Sequence, residues 1–596
     1  MHSADHVSVF FMLFLAFIVM VGRVDAKERT FELNITKGPW PMNCNNEQQQ
    51  DDQVMMINGQ HPGPPIRATL NDDIHVVVRN HGDEPTTVHY HGILQIGTVE
   101  SDGMPNITQS EIQPGGEFHA RFRLIGQSGT FFYHAHVALQ DDSIQGPFIV
   151  YPTEDAWPPN VNGGELEKRN NVEQEGLRLV DGPYRYDDER IVQLSEYWAE
   201  NPHDRINYYL GAEYQGFIPA DQYLINGHGG SASVSATKSG KHKRQSACTG
   251  MSAVEVAHGK VYRVRVIGAL SFSTLGFSVA KHKMTIIEMD GTLIEPYETD
   301  YLEVSSGQRY SVLLEANQAP GSSYNMDVMP FWITNTTATG RGILTYQEQE
   351  SESRLDVAEN FPKDFALTTQ QAATDATEFQ FPEPVNQWIF QSVKPLEEEK
   401  LDFNAKPDRT IVLMPMEHLV GEMNTTRWLI NGRHMPVHET PLLEQLKNDF
   451  HAGHNERTSD GFDEDLQTYP MKYGEVVDVV IHTTTLINHG ICAGHPWHSH
   501  GFVHYPIAHG MGEYNHETDQ DLRTYEHPVA KDTTFVYPGT TALAPEAGIP
   551  CGWTKVRVFA NNPGLWAFHC HITGHMLQGM IVIIEMATDQ IKYLQQ

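Results

Sequence analysis

Apolar positions follow two patterns along this 596-residue chain. Val7 to Gly22 is one unbroken apolar run, VSVFFMLFLAFIVMVG. From Phe31 onward the apolar residues come in short β-branched runs separated by Gly, Pro and Asn. Ile74–Arg79 (IHVVVR), Val261–Val266 (VYRVRV), Tyr310–Leu314 (YSVLL) and Val476–Ile481 (VVDVVI) are examples. Residues at i and i+2 of a strand face one side, so such runs between turn residues predict all-β sandwiches. The spacing predicts one short helix, over Leu442–Asp449. A chain this long cannot be organised around a single core, so several domains are expected. Composition divides it into three blocks, 27–152, 153–349 and 350–596. The second opens on the acidic, Pro/Gly/Asn-rich stretch Thr153–Gly176, and the third on the polar segment Glu350–Arg409. Ser231–Ala247 carries no apolar pattern and is expected as an exposed loop; it holds the dibasic pair Lys243-Arg244.

The first apolar run is followed by Val24-Asp25-Ala26. Such a run before small residues predicts a signal peptide over residues 1–26 and an extracellular, secreted product. The preceding MHSADH lacks the usual Lys or Arg, which keeps a membrane anchor as the alternative. No later stretch approaches the ~20 apolar residues that span a bilayer. Four Asn-x-Ser/Thr sequons, at Asn34, Asn106, Asn335 and Asn424, are candidate glycosylation sites. The formal net charge of -35 argues against nucleic acid and anionic membranes as partners, since both need basic patches. Five cysteines are an odd count, which in an oxidising compartment suggests two disulfides and one thiol with another task. Cys570 lies between two histidines and is the one set apart.

The 32 histidines are many, and ten fall in four short segments. These are His89-Tyr-His91-Gly, His134-Ala-His136, His495-Pro-Trp-His498-Ser-His500-Gly, and His569-Cys-His571-Ile-Thr-Gly-His575 with Met580 beyond. On a strand, His-x-His aims both imidazoles at one region. In His569-Cys570-His571 the rings face one way and the sulfur the other. A thiolate, two imidazoles and a weak thioether make a blue-copper electron-transfer site. Cys570, His575 and Met580 supply three of these ligands, and His495 can supply the fourth from another strand. His569 and His571 then reach a separate metal cluster, with a covalent path between the two sites through one cysteine.

Together these four segments resemble the multicopper oxidases: laccases, ascorbate oxidases and ferroxidases. The resemblance extends to Asn58-Gly-Gln-His-Pro-Gly-Pro64, Gly129-Thr-Phe-Phe-Tyr-His134, Gly474-Glu-Val-Val-Asp478 and Asn562-Pro-Gly-Leu-Trp-Ala-Phe568. Val261 to Leu314, with Met289-Asp-Gly291, is similar to the middle domain of ascorbate oxidases. The family implies an all-β chain of three cupredoxin-like Greek-key β-sandwich domains, on the blocks given above. It implies four copper ions, with His495, Cys570, His575 and Met580 on type 1 and His89 and His498 on type 2. His91, His134, His136, His500, His569 and His571 match the type 3 pair. The middle domain would hold no copper and would shape the substrate pocket. The implied activity takes electrons singly from a small organic reductant and reduces O2 to water. Asp102, in Ser101-Asp-Gly103, matches the family's acid beside the cluster. Cys44 and Cys248 align with a family disulfide, and Cys492 and Cys551 remain to pair.

Three departures stand out. Thr573 occupies the position after His-Cys-His-Ile where laccases and ascorbate oxidases usually carry a second acid, so proton delivery is expected to rest on Asp102. Ser110 replaces a family cysteine. Plant ascorbate oxidases stack substrate between two tryptophans; Trp428 matches one, but Phe217 is the nearest aromatic to the other. Axial Met580 implies a low or middling potential and easily oxidised donors such as phenols. A laccase-like oxidase is therefore expected. L-ascorbate oxidase is the alternative, and a ferroxidase or a non-enzymatic copper protein stands further off.

Overall fold

The computed structural model describes residues 26–591 except 41–42, 45–52, 159–177, 231–247, 334–335, 349–366, 370–371, 422–424, 436–437, 449–457, 488, 541–542 and 545. The apolar leader, Lys243-Arg244, Asn335 and Asn424 lie outside the described residues. Asn34 and Asn106 are part-exposed. Among the described residues no helix is long and apolar enough to cross a membrane.

The alternating runs form three sandwiches. In the first, Gln53–Ile57, Glu28–Pro39, Asp73–Asn80 and Glu117–Arg123 form one sheet. The other sheet holds Ile66–Thr69, Gln145–Tyr151, Gly129–Ala135 and Val88–His91. Ile74, Val76 and Val78 alternate into the core between them, against Phe122, Phe131 and Phe148. The second sandwich has two six-stranded sheets, and the third has sheets of four and five strands.

One connection recurs in all three. Glu28–Pro39 runs parallel to Asp73–Asn80, Asp188–Tyr197 to Val261–Gly268, and Arg409–Leu413 to Val476–Thr484. Each later strand then pairs antiparallel with the next along the sheet. A parallel neighbour needs a crossover between the sheets, which is what makes these sandwiches rather than meanders.

Part of the segment after residue 350 packs against the second sandwich. Leu367–Thr369 pairs with Met251–Ala253, Pro395 bridges to Ile294, and Ile389 and Val393 enter the second core. The polar composition of 350–409 hid these few apolar anchors. A short helix covers Leu442–Asn448, close to expectation. A second, Pro202–Leu210, was not expected; Asn201 caps it by accepting the His203 N–H at 2.9 Å, and proline occupies the first turn. Asn43–Cys44 pairs with Cys248–Thr249, which sets Cys44 opposite Cys248 in the register. Cys492 and Cys551 form a disulfide with Cα atoms 6.1 Å apart.

Buried charges fasten the first sandwich to the second. Glu288 accepts the Thr130 N–H at 2.6 Å and the Ser311 hydroxyl at 2.5 Å, and it pairs with Arg263. Burial opposes its ionisation, but Arg263 and Arg265 outweigh burial and hold the carboxyl down to about 2. Removing one partner of such a pair strands the other charge in the interior. Glu288→Ala is expected to cost about 3–5 kcal/mol, read as an earlier unfolding transition in denaturant, whereas breaking an exposed, solvent-screened pair such as Lys283–Glu298 should leave that transition nearly unmoved.

Candidate metal centre

Two antiparallel strands build the centre. His495–Ser499 pairs with Gly564–Cys570, so Trp497 lies opposite Cys570 and His498 opposite His569. Alternation then sends Cys570 toward His495 and turns His498 and His569 to the other side. Cys570 Sγ lies 3.7 Å from His495 Nδ1 and 3.5 Å from His575 Nδ1, and the two nitrogens are 3.1 Å apart. A tetrahedral ion with bonds of ~2.0 Å to nitrogen and ~2.3 Å to sulfur puts its ligand atoms roughly 3.3–3.5 Å apart, so the set fits one metal. The one-turn helix Thr573–Leu577 carries His575. Met580 is buried here; its N–H donates to the His575 carbonyl at 2.9 Å, and its carbonyl accepts the Cys570 N–H at 3.0 Å. Burial pushes the Cys570 thiol well up, so a metal rather than the protein alone must draw off its proton.

The other histidines gather where the first and third sandwiches meet. His91, His134 and His571 form one triad, and His136, His500 and His569 a second. His89 and His498 approach through their Nε2 atoms at 3.4 Å. Burial holds His500 and His569 down to about 3, and mutual repulsion adds to burial at His569. The same two causes hold His91, His134, His136 and His571 well below the usual range. Neutral imidazoles keep a lone pair for a metal. The far nitrogens are committed elsewhere: Nδ1 of His89, His134, His498 and His569 donates to the carbonyls of Asp102, Ala135, Asp532 and Cys570 at 2.7, 2.8, 2.9 and 2.9 Å. Such bonds fix which nitrogen faces inward. His134 Nε2 is buried with no hydrogen-bond partner, an orphan that a metal would satisfy.

Supporting residues come from all three blocks. Asp102 has no exposed surface, and its Oδ2 accepts from His500 Nδ1 at 2.9 Å. Gly103 is at φ +88°, and a Cβ there would lie 2.1 Å from the Val88 carbonyl, so the Asp-Gly turn is sterically required. Asp532 accepts from His91 Nε2 at 3.2 Å and holds Arg309 through two bonds of 2.5 and 2.6 Å. His571 Nδ1 donates to Ser306 Oγ at 2.8 Å, while the Ser306 hydroxyl turns to the Leu270 carbonyl. Asp532, Arg309 and Ser306 lie in no histidine motif and gave no sequence signal.

The two residues expected at the substrate pocket differ in exposure. Trp428 has no exposed surface and packs 5.3 Å from His495 and 5.1 Å from His575, ring centre to ring centre. It walls the sulfur site from within and offers no face to a molecule in solvent. Phe217 is part-exposed and meets His575 at 4.6 Å, with Tyr214 behind it at 5.3 Å. Glu417 accepts the Tyr214 hydroxyl at 3.3 Å, two rings removed from His575.

A buried thiol between two imidazoles, one strand away from two histidine triads, is a donor set able to hold several metal ions. Multicopper oxidase family models match residues 40–155, 188–349 and 435–590, and the chain belongs to that family. An L-ascorbate oxidase of Cucurbita pepo var. melopepo is 28% identical over 93% of each chain. Laccase-22 of Oryza sativa subsp. japonica is 28% identical over 88% of this chain and 86% of its own. Among solved structures, a laccase from Botrytis aclada matches with TM-score 0.67 and 22% identity over 96% of this chain and 91% of its own. Fet3p, a multicopper oxidase that functions in iron import, matches at 0.66 and 20% over 94% and 90%.

Asp102 holds His500 and His89 in place, so Asp102→Ala should weaken metal retention about 10–100-fold. Copper content after dialysis against graded chelator measures this, and wild-type retention would remove Asp102 from the support of the cluster.

Proposed function

We propose that the chain is a secreted, laccase-like oxidase that oxidises phenolic or similarly easily oxidised donors one electron at a time and reduces O2 to water. In this reading it carries four copper ions, which supply one-electron acceptance at the Cys570 site and four-electron reduction of O2 at the histidine cluster. His495, Cys570, His575 and Met580 hold the type 1 ion. His89 and His498 hold type 2, and the two triads hold the type 3 pair. A Cys44–Cys248 disulfide, cleavage after the leader and glycan at some of the four sequons belong to the same reading.

The observation that carries it is the position of Cys570. Its sulfur sits with His495 and His575, while its chain neighbours His569 and His571 belong one to each triad. An electron entering at the sulfur site thus has a route of a few covalent bonds to the cluster. The rest of the site positions the reactants. Part-exposed Phe217 covers His575 and offers a planar donor an aromatic face beside the entry ligand. Enclosed Trp428 keeps water from the other side. Asp102, Asp532 and Ser306 hold the cluster rings in one orientation. L-ascorbate oxidase is the second reading, favoured by the full-length likeness to the Cucurbita pepo enzyme.

Oxygen uptake by copper-loaded protein with hydroquinone, catechol, ascorbate and Fe(II) tests the proposal. Turnover is expected with the diphenols, one O2 for every four electrons and no peroxide released. Ascorbate oxidised far faster than any diphenol would establish the second reading, and no uptake with any donor would remove both. Cys570→Ser should bleach the blue absorption and abolish turnover, since a hydroxyl does not replace the soft thiolate. Phe217→Ala should raise KM for aromatic donors roughly 2- to 10-fold with little change for Fe(II).

A further inference from the structure

Thr573 stands where the resemblance to laccases and ascorbate oxidases leads one to expect an acid, and a hydroxyl stores no proton near neutral pH. The fold sets a carboxyl against it from another block. Beyond His134-Ala-His136 the chain turns into the single 3-10 turn Gln140–Asp142. The Thr573 hydroxyl donates to Asp141 Oδ2 at 2.5 Å. Both residues line a small cavity whose other walls include His134, His136, His569 and His571. Asp141 is 6% exposed, and its Oδ1 is buried without a hydrogen-bond partner.

Asp142, the next residue, lines a different space. With Glu196 and Arg205 it borders a cleft that also includes exposed Glu200. Asp142 pairs with Arg205 and accepts the Ser271 hydroxyl at 2.6 Å. The Ser271 N–H donates to Glu196 at 2.9 Å, and the Ser271 carbonyl accepts the Thr573 N–H at 2.9 Å. Glu196, Asp142 and Asp141 thus lead from the cleft to the cavity, with Ser271 tied to Thr573 at the inner end.

We propose that Asp141 is a proton-relay carboxyl for O2 reduction, standing in for the acid absent at Thr573 and refilled from the cleft through Asp142 and Glu196. The inference rests on the oxidase reading above. Reduction of O2 to two waters takes four electrons, supplied by the donor through Cys570, and four protons. In each transfer the Thr573 hydroxyl passes its proton to the oxygen being reduced and takes the Asp141 carboxyl proton in its place. The resulting carboxylate regains a proton from the cleft side. The charges around Asp141 suit this cycle. Burial, and then the neighbouring Asp142, push its carboxyl well above the usual range, with Glu196 adding and Thr573 and Arg205 opposing. Burial pushes Glu196 up to about 7, against hydrogen bonds from Ser273, Phe272 and Ser271. The cluster imidazoles across the cavity are neutral and bring no charge that would reverse this.

Infrared spectra of the copper-depleted protein at neutral pH should show a protonated-carboxyl stretch that Asp141→Asn lacks; an unchanged band would overturn the proposal. In copper-loaded protein, recolouring after reduced enzyme is mixed with O2 should slow roughly 100-fold in Asp141→Asn, most strongly at high pH. Anaerobic bleaching by the donor should keep its rate. Adding Thr573→Glu to Asp141→Asn should recover part of the loss. Should Asp141→Asn fail to load copper, Thr573→Val decides, because it breaks the link while leaving Asp141. Recolouring at the wild-type rate across the pH range in either loaded variant would overturn the relay but leave the oxidase reading intact. Wild-type protein that never recolours with O2 would instead remove that reading.

Discussion

The pairing of His495–Ser499 with Gly564–Cys570 is the contact on which the rest of the molecule depends. Side chains alternate along a strand, so the register that brings Trp497 opposite Cys570 also decides which histidines share a side. A slip of one residue would send the sulfur into the histidine cluster and the imidazoles into the core of the third sandwich. That register is held from outside the metal site. Ile581–Met586 pairs along the other edge of Gly564–Cys570, and Thr533–Val536 along the other edge of His495–Ser499. Trp566 and Trp497 are fully buried beneath them.

Around this pair the protein solves an electrostatic problem. Ten imidazoles are packed where water does not reach, and burial holds nine of them, His91, His134, His136, His495, His498, His500, His569, His571 and His575, below the usual range, so that they stay neutral. Neutral rings still need direction, and carbonyls, Asp102, Asp532 and Ser306 provide it. Three buried carboxylates are handled in the opposite way, through guanidinium partners: Glu288 with Arg263, Asp532 with Arg309, and Glu189 with Arg265. Asp141 lacks such a direct partner, since its neighbour Asp142 takes Arg205.

Much of this was legible in the sequence because strand periodicity and ligand chemistry are both local. Runs such as Val476–Ile481 announced strands, and His-x-His together with Cys between histidines announced the metal set. Long-range partners were not legible. Asp532 and Ser306 are ordinary residues in ordinary runs, and only folding brings them to His91 and His571. Asp141 carries no motif either, and its contact with Thr573 joins residues 432 positions apart along the chain. Trp428 shows the reverse case, since a matching position did not reveal that its ring would be enclosed. The packing of the segment after residue 350 on the second sandwich was hidden for a similar reason. Composition reported the polar majority of that segment, while Ile389 and Val393 decided where it packs.

The histidine cluster joins residues remote along the chain. His498 meets His89 across 409 positions, and His571 meets His91 across 480. Gly307, from the second sandwich, comes so close that a Cβ on it would lie 2.8 Å from the His91 ring. A nascent chain therefore holds only half-sites until its last strands emerge, and neither triad can close before the third sandwich docks on the other two. Order of synthesis thus makes the cluster the final part of the molecule to mature, and metal arriving earlier would find only the two-histidine fragments of the first sandwich.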